Sequence, residues 1–151
     1  MSHSYKTELL PDISNVATNS FHQLWLNVQV KNIKSVLVCA IYRPPDVSID
    51  CFDTDLSPNL VTASFLNKPI YIIGDINCSL LKPNIPESVA LTNFCRMFHL
   101  TQMVSSPTRV TDSTATLLDV IITSNPNQIR EVKIIESSVS DHDFVYALYS
   151  S

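Results

Sequence analysis

The stretch Tyr71-Ile72-Ile73-Gly74-Asp75-Ile76-Asn77-Cys78 constrains the fold more than any other. A bulky apolar run, Ile70 to Ile73, has the character of a buried strand and stops abruptly in Gly-Asp-x-Asn. Average glycine usage of about 7% would give roughly ten glycines in a chain of this length. There is one, Gly74. A carboxylate and a carboxamide two residues apart at the mouth of a buried strand point to a site rather than a turn.

With 151 residues the chain has room for one domain with a substantial core. Hydrophobic residues make up 45% and charged residues 16%, against a usual charged share of about 25%. So little charge suits a chain that packs against further protein. The net charge of −4 gives no general attraction to nucleic acid and disfavours a basic binding domain. An enzyme that meets a phosphodiester through a metal ion stays open, because the metal supplies positive charge locally. Cys39, Cys51, Cys78 and Cys95 form no C-x-x-C pair and read as buried, reduced thiols. Met1 to Lys6 lacks an apolar core segment, and no apolar run approaches the roughly 20 residues of a membrane span. The expectation is an intracellular, soluble protein with no membrane partner and no further address.

Residues 1–20 are weakly patterned and read as a loose leading segment, and residues 21–151 as the domain. Leu24 to Val30 alternates as a strand, with Leu26, Val28 and Val30 on one face, and residues 31–34 form a polar hairpin turn. Ser35 to Tyr42 is near-continuously apolar, as in a central strand covered on both faces, and ends at Arg43-Pro44-Pro45. Pro58 to Leu66 fits a helix capped by Ser57, with an apolar stripe at Leu60, Val61, Ser64 and Phe65. Pro69 to Asp75 is a third strand, and Glu87 to Phe98 an amphipathic helix with Val89, Leu91, Phe94, Cys95 and Phe98 on its apolar side. Leu100 to Val104, Leu117 to Thr123, Val132 to Ile135 and Phe144 to Tyr149 are extended. Strands thus outnumber helices by about six to two, which predicts layered α/β packing with mostly antiparallel strands.

Polar groups interrupt or end these strands at Tyr42, at Asp75 with Asn77, at Asp119, and at Asp141 with His142. Singly, each has an ordinary reading: a half-buried aromatic, a turn former, an exposed dipeptide. Asp119 within an apolar run is harder to dismiss, because a buried carboxylate costs several kcal/mol unless it is paired. Together they suggest chemistry. Carboxylates and a carboxamide are hard oxygen ligands suited to Mg²⁺ or Mn²⁺. A histidine beside an aspartate has a fixed ring, and when protonated it can hold and polarise a phosphoryl oxygen. A further carboxylate can orient a water for in-line attack.

The order Ile41-Tyr42-Arg43-Pro44-Pro45, Ile73-Gly74-Asp75-Ile76-Asn77, Ser106-Pro107-Thr108-Arg109, Leu117-Leu118-Asp119-Val120-Ile121, Val139-Ser140-Asp141-His142 resembles the endonuclease/exonuclease/phosphatase superfamily. Within it, the Tyr-Arg-Pro-Pro and Ser-Pro-Thr-Arg segments resemble the endonuclease domain of non-LTR (LINE-type) retrotransposon polyproteins. The resemblance runs from about Trp25 to the end. It implies a four-layer α/β-sandwich and metal-dependent hydrolysis of DNA with Mg²⁺ or Mn²⁺. Asp75 is similar to the carboxylate that activates water or serves the leaving oxygen, and Asn77 to its orienting partner and phosphate contact. Asp119 is similar to the partner of the catalytic histidine, and His142 to that phosphate-binding histidine. Tyr42 matches the phosphate-contacting tyrosine, Asp141 a metal ligand shared with Asp75 and Asn77, and Thr108 a hydroxyl lining the DNA site.

Family members also begin with a strand carrying an Asn and a strand ending in a metal-binding Glu. Neither is found here; the only early side chains of this kind are Glu8, Asp12 and Asn15. The resemblance therefore implies the C-terminal part of the domain, with a preceding half-domain and a downstream reverse transcriptase as partners in the full-length ancestor, and nuclear activity. Three functions stand beside each other: a DNA endonuclease domain, a catalytically inactive remnant of one, and a phosphatase or RNA-directed member of the superfamily.

Overall fold

The computed structural model describes residues 5–10 and 21–150. In chain order the strands are β1 (Tyr5–Leu9), β2 (His22–Val30), β3 (Val36–Tyr42), β4 (Ile70–Asp75), β5 (Thr101–Gln102), β6 (Arg109–Val110), β7 (Ala115–Thr116), β8 (Asp119–Thr123), β9 (Ile129–Ile135) and β10 (Phe144–Tyr149). The helices are α1 (Ser57–Ser64) and α2 (Pro86–Met97). A six-stranded sheet runs in the order β1-β2-β3-β4-β8-β5. Within it β3 and β4 are parallel and every other pair is antiparallel. β9 and β10 form a separate antiparallel ribbon, and β6 and β7 a short hairpin. The α/β class and the mostly antiparallel pairing follow the sequence expectation. Three layers are present among the described residues: helices, sheet and ribbon.

The two faces of the sheet are unequal, because side chains alternate along each strand. One face carries Trp25, Leu37, Cys39, Ile41, Ile70, Ile72, Val120 and Ile122, all buried in the main core with Phe52, Leu60, Leu91 and Phe94 from the helical side. The other carries Leu24, Val38, Ala40 and Ile73 and is only partly covered by the ribbon. An apolar groove of about 690 Å³ lies between Val38 and Ile73 of the sheet and Val145 and Ala147 of the ribbon. This corrects two expectations. The alternating face of β2 that holds Leu26 and Val28 is the half-open one, and Trp25 marks the buried one. β3 is central but covered fully on one side only.

Other departures are local. Tyr5–Leu9 pair with β2 where the sequence reading has no strand. Lys6 and Glu8 are exposed and ion-paired with each other, so backbone bonds rather than a buried stripe hold β1. The rest of the leading segment, residues 1–4 and 11–20, lies outside the described residues and includes Asp12 and Asn15. α1 is preceded without a break by a wide helical turn over Phe52–Leu56, so Ser57 does not cap it. The buried stripe is consequently Phe52, Leu56, Leu60 and Ala63, while Val61 is exposed and Phe65 is 76% exposed. In α2, Val89 likewise faces out. Asp119 opens β8 rather than interrupting it.

Candidate functional site

Strand register gathers the polar residues. Tyr42 pairs with Asp75 across the parallel β3–β4 ladder, and Asp75 pairs with Asp119 across β4–β8. Directly opposed residues point to the same face, so three polar side chains stand in one row at the sheet's end. Gly74 makes this approach feasible. Its φ is +149°, and a Cβ there would lie 1.8 Å from the Ile41 carbonyl oxygen. The chain's one glycine is thus where β3 and β4 approach too closely for any side chain.

Beyond β4 the backbone turns through Asn77, whose φ of +49° is left-handed, a conformation Asn tolerates. The Asn77 N–H donates to Asp75 Oδ1 at 2.8 Å, and its Nδ2 donates to the Arg43 carbonyl at 2.9 Å. Arg43 is buried and holds the same turn from beneath. Its terminal nitrogens donate to the carbonyls of Ile76 at 3.0 Å and Val47 at 2.6 Å, and its backbone N–H to Asp75 at 2.9 Å. Sequence reasoning missed this role, since Arg43 looked like part of a strand terminator. The only signal was a charged residue directly after an apolar strand.

His142 enters from the turn before β10. Its backbone forms a bridge with Arg109, and the next residue's N–H donates to the Thr108 carbonyl at 2.7 Å. The imidazole then lies against both carboxylates of the row. Nδ1 is 3.0 Å from Asp119 Oδ2, and Nε2 is 3.8 Å from Asp75 Oδ2. A carboxylate can only accept, so Nδ1 carries the proton in the short contact. Asp75, Asp119 and His142 each offer an atom within 4.8 Å of the others, a geometry that can receive a cation. Burial pushes the Asp75 carboxyl above its usual range, and neighbouring Asp119 adds to the effect; the Asn77 N–H, His142 and Arg109 oppose it.

Two expected site residues sit differently. Thr108 is fully buried, and its hydroxyl accepts from the N–H groups of Leu118 and Asp119, each at 3.0 Å. It faces the backbone that carries Asp119 rather than an open channel. Asp141 is exposed, and Arg109 Nε donates to its Oδ2 at 2.7 Å, which holds its carboxyl below the usual range. Tyr42 is 43% exposed, with its ring edge-on to His22. Glu8 is remote: it pairs with Asn27, which pairs with Leu37, five residues before Tyr42. At about 3.3 Å per residue that is roughly 17 Å from the polar row.

This architecture defines the class: a layered α/β fold of the endonuclease/exonuclease/phosphatase superfamily. Residues 36–146 match the family model described as endonuclease-reverse transcriptase, and the chain belongs to that family. The endonuclease domain of TRAS1, a telomere-specific non-LTR retrotransposon, is similar in structure, with a TM-score of 0.75 at 17% identity over 93% of this chain and 67% of that one. An endonuclease/exonuclease/phosphatase family protein from Bacteroides thetaiotaomicron gives 0.58 at 12% identity, over 95% and 63%. The Xenopus laevis APE2 catalytic domain gives 0.53 at 18%, over 85% and 54%. The chain thus spans between about half and two-thirds of these solved structures. No curated protein sequence matches it. Among the described residues no helix is long and apolar enough to cross a membrane.

Proposed function

We propose that the chain is part of a metal-dependent DNA endonuclease of the retrotransposon type. The observation that carries this reading is the clasp of His142 between Asp119 and Asp75, in register with Tyr42. Asp119 fixes the imidazole through Nδ1, which leaves Nε2 as the atom that meets a phosphoryl oxygen. Asp75, raised by burial, takes the proton of a water attacking phosphorus in line, or serves the leaving oxygen. Asn77 fixes the Asp75 carboxylate through its backbone N–H, and Tyr42 contacts a phosphate oxygen.

The donor set fits a hard divalent cation, Mg²⁺ or Mn²⁺, because Asp75, Asp119 and His142 each offer an atom within 4.8 Å of the others, and Asn77 and Asp141 would add oxygens from positions close to Asp75 and His142 in sequence. Such a cation supplies positive charge to the phosphoryl and leaving oxygens when bound. The reading implies two partners in a longer polyprotein: a preceding half of the domain, carrying strands with an Asn and a metal-binding Glu, and a downstream reverse transcriptase. The exposed apolar groove between sheet and ribbon supports the first, since further strands would cover it. The reading places the activity in the nucleus.

A catalytically inactive remnant is the second reading. It is favoured by the Arg109–Asp141 pair, which occupies an expected metal ligand, and by the distance of Glu8 from the site. Cleavage of an end-labelled DNA duplex in Mg²⁺ separates the two. Cleavage by the wild type and none by Asp75→Asn supports the endonuclease; equal behaviour of both proteins removes it.

A further inference from the structure

Arg109 is tied to the candidate site twice. Its backbone bridges to His142, and its side chain bonds Asp141, the neighbour of His142 in sequence. Both partners of the side-chain pair are substantially exposed, at 40% and 49%. The bond uses Nε, and neither terminal nitrogen hydrogen-bonds another described residue. The charge of Arg109 also reaches Asp75, where it favours the ionised form. A rim holding Asp75, Asp119 and Asp141 on a chain of net charge −4 repels a polyanion, so a phosphodiester needs a fixed cation there to dock. A guanidinium with its fork open to solvent has the right shape, because its paired N–H groups match two phosphate oxygens.

We propose that Arg109 binds a backbone phosphate of the nucleic acid, with Asp141 holding the guanidinium at the rim of the site. This extends the endonuclease reading above and rests on it for the nature of the ligand. Binding needs no hydrolysis, so it is measured in EDTA, and the result stands apart from any cleavage assay. The probe is a short fluorescein-labelled DNA duplex, read by fluorescence anisotropy at several salt concentrations. The proteins are the wild type, Arg109→Gln, Asp141→Asn and the double variant, with far-UV circular dichroism reporting the fold of each.

Arg109→Gln should weaken duplex binding about tenfold and flatten its salt dependence by about one phosphate contact. The same substitution in the Asp141→Asn background should cost at least as much, because there the guanidinium is no longer shared with a carboxylate. A merely structural Arg109, which acts only by fixing Asp141, loses nothing further once Asp141 is neutral. Equal binding by Asp141→Asn and the double variant therefore overturns the proposal, as does equal binding by the wild type and Arg109→Gln. If Arg109→Gln unfolds, Arg109→Lys keeps the charge but not the fork; it should bind more weakly than the wild type, and undiminished binding overturns the proposal as well.

Discussion

Asp119 and His142 are joined by a 3.0 Å contact between Oδ2 and Nδ1 although they lie on separate strands and turns, and the contact fixes which ring nitrogen faces the site. Asp119 is placed by the β4–β8 register and by the Thr108 hydroxyl, which takes its backbone N–H. His142 is placed by the bridge to Arg109. The pairing thus depends on β8, the β6–β7 hairpin and the turn before β10 at once.

If Asp119 acts only through the imidazole, Asp119→Asn lowers cleavage by about 10²–10⁴-fold, the range for losing one member of such a pair. The double variant Asp119→Asn/His142→Ala should then be no slower than His142→Ala alone. Additive losses in single-turnover assays would show that the two residues work independently.

Asp75 predicts a trade between activity and stability. Burial raises its pKa above the unfolded value, so the native fold holds its proton more tightly than the unfolded chain does. That stabilisation is present below about pH 4, the ordinary carboxylate range, and is lost as the pH climbs through the raised value. Asp75→Asn removes the cost of the buried charge while keeping an oxygen for the Asn77 N–H. It should abolish cleavage and raise Tm at pH 7, with the gain shrinking toward pH 3. Thermal melts of both proteins across this range check it; a gain that grows on acidification contradicts it.

Two backbone supports should fail when altered. Arg43→Met leaves the carbonyls of Ile76 and Val47 without their donors, a loss of roughly 2–4 kcal/mol for one buried and one part-buried bond from a charged donor. Gly74→Ala drives a methyl into the Ile41 carbonyl and should separate β3 from β4. Urea denaturation reads the first. For the second, soluble and native-like Gly74→Ala protein would contradict the close approach.

The four cysteines are buried and free, and burial pushes the thiols of Cys51, Cys78 and Cys95 up to about 11 and that of Cys39 higher still. A thiol reagent at pH 8 should therefore react slowly with the native chain and rapidly with all four in denaturant. The half-open face makes the opposite kind of prediction. A hydrophobic dye should bind the native chain at the groove between sheet and ribbon, and Val38→Lys or Ala147→Lys should reduce the signal. Weak dye binding by the wild type would mean that the groove is covered.

What the sequence revealed depended on the range of the interaction. Apolar runs located β3, β4 and β10 because strand identity is written locally. The motif order placed the chain in its family, and the solitary Gly74 drew attention to Asp75 and Asn77, but nothing in the sequence told that β3 and β4 crowd together there, because the neighbour it meets, Ile41, is more than thirty residues away. The buried faces were harder. Trp25 rather than Leu26 points into the main core because a helical layer covers that side, which alternation alone cannot tell. The stripe of α1 shifted because its helical path begins at Phe52. Arg43 and Arg109 were hidden for a related reason. Their partners lie far away in sequence, at Ile76 and Asp141, and neither segment announces a buried or paired guanidinium.

His142, held by Asp119 and facing Asp75, is proposed to serve phosphodiester hydrolysis. Nicking of supercoiled plasmid by wild type and His142→Ala, each purified identically and assayed in Mg²⁺ and in EDTA, tests it most directly. Mg²⁺-dependent nicking by the wild type is expected, abolished by EDTA and at least about 10²-fold weaker in His142→Ala. Equal nicking by the two proteins, or none by the wild type at high protein concentration, would contradict it.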